Sequence, residues 1–489
     1  MDIVSNKEKE FIINFTNDQL NAYQSILDFI NAPYNPSDCK RALIGAAGTG
    51  KTYLVRALIK NCNLSYSQIG LSAPTHKANR VLAESIGISN IKVNTLASDL
   101  GLKLNFDADK FDIKNPPFDP KGRVKISDYR IYIVDEASMI NRDLCTFLEK
   151  TCKEKRCKLI YIGDALQLAP VGEIYSPAFR AIKSSNLNQI VRQEEDNPIR
   201  DLLSLLRDDI KNKTFKFIYH ITNIKEKFDN YNIKGFKVCN TQEFANQVNL
   251  YFNDEQLTKN VDFSKIVAYT NICVSKWNKY IRNNIILDAD KSIITKNDLI
   301  ISYTTIVNQF NEVVIANSDE YIINDIVNYI HPTYDIKGFL VKFQAIHGGK
   351  ITTPIFVLDH KDQLSINRYV QISNSLVNNA KNANRILKAS KWKEYYSFKE
   401  SCLLLIDIVN PNNGQTLFKR DLDYGFALTA HKSQGSTFDT VFVDVDDIIY
   451  NKYNQIYSNV EEINRRLYVA CSRCKNKLYL KFTNGLNIY

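Results

Sequence analysis

The chain has 489 residues, 44% of them hydrophobic and 24% charged, with a formal net charge of +10. That is a globular composition in a chain too long for one core, so about three domains are expected; the basic balance suits a polyanionic partner without identifying one. No stretch approaches the roughly 18 apolar residues of a membrane span, and the opening MDIVSNKEKEF carries no apolar secretory run, so no membrane role and a cytoplasmic location are expected.

From Thr16 to Ile30, Leu20, Tyr23, Ile26, Leu27 and Ile30 recur at helical spacing behind an N-cap at Thr16 or Asn17. Gln19 opens this helix. Its amide can pair with the N6/N7 edge of adenine or simply face solvent. Residues 41–58 then read RALIGAAGTGKTYLVRAL: an apolar strand, a glycine-rich turn and an amphipathic helix. Gly45, Gly50, Lys51 and Thr52 match G-x-x-x-x-G-K-[ST], the P-loop. Its backbone N–H groups, from Gly45 through Ala46, Ala47, Gly48 and Thr49 to Gly50, wrap phosphates. Lys51 reaches the β/γ-phosphates and Thr52 can ligate Mg2+.

Gln68 to Ala73 is a second strand, running into Pro74-Thr75-His76-Lys77-Ala78-Asn79-Arg80 at the start of another helix, and residues 93–97 (VNTLA) make a third polar strand edge. Such edges suit phosphate binding. Leu100 to Ser127 departs from this pattern, with Pro116, Pro117, Pro120 and Gly122 among Phe106, Phe111, Phe118 and several lysines. It is an excursion from the core, either a decorated loop or a set of aromatics that stack on bases. The strand in RIYIVDEA (130–137) ends in Asp135-Glu136, a Walker B signature: Asp135 holds magnesium through water and Glu136 orients or deprotonates the attacking water. Lys158 to Gly163 is another buried strand, followed by Asp164, Gln167 and Pro170, with Gln167 placed to sense the γ-phosphate. Arg192 and the helix Asn197 to Lys211 close the first unit.

A second αβ unit begins with strands Phe236 to Asn240 and Ile266 to Tyr269 and helices Gln242 to Tyr251 and Val274 to Ile285. From Lys291 to Leu417 short alternating runs replace the pattern, followed by a polar helical tract from Gln363 to Lys399; this reads as an inserted β-rich domain with a helical appendage. The αβ unit resumes at Tyr424 to Ala430, carries Thr429-Ala430-His431-Lys432-Ser433-Gln434-Gly435, and closes with helix Asn464 to Ser472 and strand Leu478 to Phe482. Arg473, at that helix end, is a capping charge or an arginine finger. The ten cysteines are scattered and read as reduced thiols. Cys471 and Cys474 have C-x-x-C spacing with no second pair nearby and read as structural.

Taken in order, Gln19, GAAGTGKT, APTHKAN, IVDEAS, GDALQLAPV, the Arg192 segment, TAHKSQG and YVACSRC resemble the motifs of superfamily-one helicases over nearly the whole chain. The TAHKSQGST form, the aromatic insert and the late β-rich insertion resemble the RecD-like branch. The resemblance implies an α/β fold of two RecA-like P-loop domains, at 1–195 and at 196–290 with 418–489. It also implies a pin insertion at about 100–127 and a β-barrel-like insertion at 291–417. ATP and Mg2+ then sit between the two domains. Arg192 and Arg473 are the implied arginine fingers, Gln19 the adenine reader, and Gln167 and Gln434, beside Gly435, the residues coupling ATP to strand. Pro74, Thr75, His76, Thr95, Thr429 and His431 are implied strand contacts, with Phe106 and Phe111 on the pin. Relatives often carry His where Ala97 stands and Glu where Thr437 stands. The expected activity is ATP-dependent unwinding of DNA, moving 5′ to 3′ on a single strand. The competing readings are an RNA-directed translocase and a non-hydrolysing clamp. Expected partners are single-stranded and forked DNA, with replication or recombination proteins as candidates and a monomer as the working form.

Overall fold

The computed structural model describes residues 15–104, 118–119, 122–170, 172–189, 197–252, 262–286, 288–289, 291–307, 313–346 and 349–483. Its first helix, α1 (Asn17–Asn31), opens in a capping box: the Thr16 hydroxyl accepts the Gln19 N–H, and the Gln19 side chain accepts the Thr16 N–H. That box decides which face turns inward. Gln19 is 3% exposed and lies with Tyr23, Ile26 and Ile30 in the interior, whereas Leu20, expected on the apolar face, is 42% exposed.

After α1 come β1 (Lys40–Gly45), α2 (Lys51–Asn61), β2 (Ile69–Ala73), α3 (His76–Ile86), β3 (Val93–Thr95), β4 (Ile131–Val134), α4 (Arg142–Glu154), β5 (Lys158–Gly163) and β6 (Ser184–Leu187). Their strands form one parallel sheet in the order β3-β2-β4-β5-β1-β6. Strands β2, β4 and β5 are buried along their length, which is why they read as continuous apolar runs. Alternate residues serve opposite faces: Ile131, Ile133, Ile160 and Ile162 pack with α1, α2 and α3, while Tyr132, Val134, Leu159 and Tyr161 pack with Cys145, Leu148 and Cys152 of α4. Between β3 and β4 the excursion contains an antiparallel ribbon, Lys103–Leu104 with Phe118–Asp119. Phe106 and Phe111 lie outside the described residues.

The second unit contributes α5 (Pro198–Asn212), β7 (Glu226–Phe228), β8 (Gly235–Cys239), α6 (Thr241–Tyr251), β9 (Ser264–Ala268) and α7 (Asn271–Ile285). An antiparallel sheet is then inserted: β10 (Leu299–Ser302), β11 (Glu320–Ile330), β12 (Lys337–Ala345), β13 (Ile355–Leu358) and β14 (Leu422–Tyr424), in the order β13-β12-β11-β10-β14. Its edges approach closure through one short segment. The Leu358 N–H donates to the Leu403 carbonyl at 3.0 Å, and the Leu422 N–H donates to the Leu404 carbonyl at 3.0 Å. This is the barrel-like insertion the sequence implied, and its last strand, β14, lies beyond residue 417. The polar tract is a helical pair, α8 (Gln363–Asn382) and α9 (Arg385–Ser401), held by buried Tyr369, Trp392, Tyr395 and Phe398.

The chain then completes the second unit with β15 (Ala427–Thr429), β16 (Phe438–Asp444), α10 (Val460–Cys471) and β17 (Cys474–Lys481), giving a sheet ordered β15-β9-β16-β17-β8-β7, parallel except at the β7 edge. Helix α10 starts ahead of the expected Asn464 because Asn459 caps it and Glu461 and Glu462 favour its N-terminal dipole. One apolar core runs without a break from the second unit into the insertion, joining Ile266, Trp277 and Ile281 to Ile300, Tyr321, Ile323 and Phe343. Cys471 and Cys474 are free and buried, and burial pushes the Cys474 thiol up to about 12. Among the described residues no helix is long and apolar enough to cross a membrane.

Candidate functional site

The P-loop leaves β1 and turns into α2 at Gly50, whose φ of 80° is a left-handed conformation that L side chains rarely adopt. A Cβ at Gly50 would also fall 2.4 Å from Gln19 Nε2. Lys51 Nζ donates to the carbonyls of Gly45 and Ala46, each at 2.8 Å, so the ammonium lies folded over its own loop. The Gln19 amide donates to the Thr49 carbonyl at 2.9 Å. With its oxygen engaged by Thr16, Gln19 braces the loop from behind and is not a solvated helix residue.

Walker B residues Asp135 and Glu136 follow the C-terminal end of β4. Glu136 holds φ at 49°, a left-handed conformation unusual for glutamate and of the kind stored at functional sites. Burial, and next the adjacent Glu136 charge, push the Asp135 carboxyl up, while Lys51 opposes them. Facing these from the second unit are Gly435, Ser436, Thr437, Ser472 and Arg473. Together with Gln19, residues 47–48 and 50–53, and Gln167, they line a cavity of about 710 Å³. Arg473 is 4% exposed. Its Nε donates to the Val469 carbonyl at 3.1 Å, which caps α10, and its NH1 donates to the Ser436 carbonyl at 3.3 Å. The same side chain therefore caps a helix and also lines the cleft.

The donor set fits a polyphosphate, a divalent cation and a water molecule. Lys51, Arg473 and the loop amides supply positive groups, Thr52 and Asp135 supply oxygen ligands, and buried Glu136 Oε2 and Gln167 Oε1 have no hydrogen-bond partner among the described residues. An unpartnered carboxylate oxygen beside a phosphate site is placed to take a water proton.

Sequence reasoning missed the second unit's grip on the loop after β5. Asp164 accepts the Tyr468 hydroxyl at 2.6 Å and Arg207 NH1 at 3.2 Å, and Arg207 also donates to Tyr468 at 2.8 Å. Arg465 NH1 donates to the carbonyls of Ala165 and Gln167 at 2.8 and 2.9 Å, and Gln434 Nε2 donates to the Leu168 carbonyl at 3.3 Å. The loop that carries Gln167 is thus held by α5, α10 and the Gln434 turn. The spacing of Glu461, Arg465 and Tyr468 on one helical face was the available signal, but spacing does not name a partner.

The implied strand contacts cluster at strand ends. Thr75 caps α3, Thr95 caps the turn after β3, and Thr429 caps the turn after β15, each through its hydroxyl oxygen. Capping uses an acceptor lone pair and leaves the hydroxyl proton free to donate. Pro74 and His76 flank Thr75; burial pushes the His76 and His431 imidazoles down, towards the neutral form. A Cβ at Gly435 would stand 3.7 Å from Ala78 Cβ, so the start of α3 meets the Gly435 turn. Arg192, Phe106 and Phe111 are outside the described residues, and the structure places none of the three.

Two family descriptions match in chain order: an AAA domain at residues 19–227 and a UvrD-like helicase C-terminal domain at 424–481. An uncharacterised protein of Acanthamoeba polyphaga mimivirus is 25% identical over 95% of this chain and 98% of its own length. The ATP-dependent RecD2 DNA helicase of Deinococcus radiodurans is 30% identical over 32% of this chain, which spans only 20% of that protein. The fold is shared with Bacteroides Pif1 bound to ssDNA, at a TM-score of 0.50 and 14% identity over 96% of this chain and 93% of that one. The P-loop, the Walker B pair and Arg473 thus line one cleft in a chain that carries an AAA-domain match followed by a UvrD-like helicase C-terminal match and shares the fold of Pif1 helicase.

Proposed function

We propose that this chain is an ATP-dependent DNA helicase that moves 5′ to 3′ along a single strand and opens the duplex ahead. The observation that carries the reading is the cleft itself, with Lys51, Thr52, Asp135 and Glu136 on one side and Arg473 and Gly435 on the other. A non-hydrolysing clamp has no need of Glu136 with a free buried oxygen or of a cationic residue in trans. RecD2 of Deinococcus and Pif1 are named as DNA helicases or bound to ssDNA, which favours DNA over RNA as the track.

In this mechanism Lys51 swings from the Gly45 and Ala46 carbonyls to the β/γ-phosphates. Thr52 and Asp135 would hold Mg2+, which when bound would neutralise phosphate charge. Glu136 takes the proton of the attacking water. Arg473, joined in this proposal by Arg192, meets the negative charge that develops on the γ-phosphoryl oxygens. Cleft closure is transmitted through Gln167 and Gln434 to the strand contacts at Pro74, Thr75, His76, Thr95, Thr429 and His431. The division into 1–195, 196–290 with 418–489, and 291–417 belongs to this proposal, as do the pin role of 100–127 and the adenine contact of Gln19. The motif pattern favours the RecD-like branch and resembles that of the Dda helicase of T-even phages.

The deciding experiment is unwinding of partial duplexes with a 5′ or a 3′ tail, each made in DNA and in RNA. ATP-dependent opening of the 5′-tailed DNA alone is expected. A 3′ preference would overturn the branch, and RNA preference would favour the translocase reading. Glu136→Gln is expected to bind ATP normally and to lose about 10² to 10⁴ in turnover, read by steady-state phosphate release.

A further inference from the structure

One carboxylate links the inserted sheet to both αβ units. Glu320, the first residue of β11 in the inserted sheet, lies 2.5 Å from Lys265 Nζ of β9 and 2.7 Å from Lys77 Nζ of α3. Lys265 and Glu320 are 0% and 2% exposed at the side chain, and Lys77 is 9% exposed. Lys265 also donates to the Gly425 carbonyl at 2.8 Å, and both ammonium groups stand over the Phe438 ring, at 5.3 and 5.6 Å. Alongside, Arg80 NH1 of α3 pairs with Asp319 at 3.0 Å.

The insertion is fixed to the second unit independently of this node. Its core is continuous with that unit, and Lys432 of the Gln434 turn stands 3.3 Å over the Tyr303 ring. The first unit meets it through the start of α3, immediately after Thr75 and His76. Burial would raise the Glu320 carboxyl, but Lys265 and Lys77 hold it at about 2. If Lys77 withdrew, the buried Glu320 oxygen that accepts from it would lose its donor without regaining water, so this contact resists being broken and remade at every turnover.

Resting on the helicase reading above, we infer that Asp319 and Glu320 are positioning residues of the motor: they form the pivot on which the cleft closes. They keep the strand-contacting start of α3 tied to the second unit throughout the cycle. Turnover without the pivot lets the first unit's strand grip slip, so hydrolysis continues while fewer base pairs open per ATP.

The outer pair, Arg80 and Asp319, allows a test by charge exchange that leaves the buried triad in place. Arg80→Asp and Asp319→Arg are each expected to keep the turnover number at saturating single strand within about two-fold. Base pairs opened per ATP should fall about five-fold or more. The double exchange should restore both single-variant losses. Parallel falls in turnover and opening, or an exchange that restores nothing, would reduce the pair to structural glue. Hydrogen exchange gives a readout independent of unwinding. In the unsubstituted protein the amides of Asn79 and Ser318, which donate to the Thr75 and Ser302 carbonyls, should stay equally protected with and without AMP-PNP and magnesium. Loss of that protection on AMP-PNP binding would make the contact a latch that opens, and the pivot would fall whatever the strand polarity proves to be.

Discussion

Lys51→Ala is expected to abolish strand-stimulated ATP hydrolysis, a loss of about 10³-fold or more, while single-strand binding persists. The ammonium is the P-loop's only side-chain cation, and its two present acceptors, the carbonyls of Gly45 and Ala46, are groups it leaves when phosphate arrives. Its removal takes charge from the β/γ-phosphate position and leaves the α2 core, Leu54, Val55 and Leu58, untouched. The fold should therefore survive, with circular dichroism unchanged. Phosphate release and fluorescence anisotropy of a labelled single strand separate the two effects. Substantial hydrolysis by this variant would remove the P-loop from the mechanism and the helicase assignment with it.

Arg473→Ala is expected to retain ATP binding and to lose about 10³ to 10⁵ in turnover. Its guanidinium comes from the second unit and reaches a cleft whose phosphate loop belongs to the first, so its charge arrives only when the two are properly apposed. The substitution also removes hydrogen bonds to Val469 and Ser436, at a cost of about 1 to 3 kcal/mol in stability. Arg473→Lys keeps a charge at that place but loses the fork, and should recover stability more than turnover. Stopped-flow binding of a fluorescent ATP analogue, set beside phosphate release, distinguishes the two roles. Normal turnover in Arg473→Ala would leave it as a helix cap alone.

The parts of this site legible in the sequence are those whose chemistry is contiguous. The P-loop, the Asp135-Glu136 pair and the strand Lys158–Gly163 each occupy one short run, and the structure has β5 at the expected residues. The inserted sheet was legible as a change from helical to alternating periodicity. Contacts between distant segments were not. Lys77 meets Glu320 across 243 residues, and Tyr468 meets Asp164 across 304. Nothing in the local pattern around Glu320 distinguishes a buried bridge from one more charged residue on a strand. Gln19 shows the intermediate case: its place at the helix start was readable, but its bond to the Thr49 carbonyl was not, since periodicity does not register it. The threonines at 75, 95 and 429 were read as strand contacts, and their capping role emerged only once the turns they close were in view.

The interrupted second sheet also sets the order in which the chain acquires its shape during synthesis. All six strands of the first sheet have been made once Leu187 leaves the ribosome. In the second, β9 lies between β15 and β16, and β8 pairs with β17, so three of its strands come from residues 427–481. Until those emerge, Phe236, Val238, Ile266 and Val267 lack the neighbouring strands that complete their sheet. The nascent chain must carry this unfinished half through the whole translation of the insertion, which makes that interval its period of greatest exposure to aggregation and to chaperones.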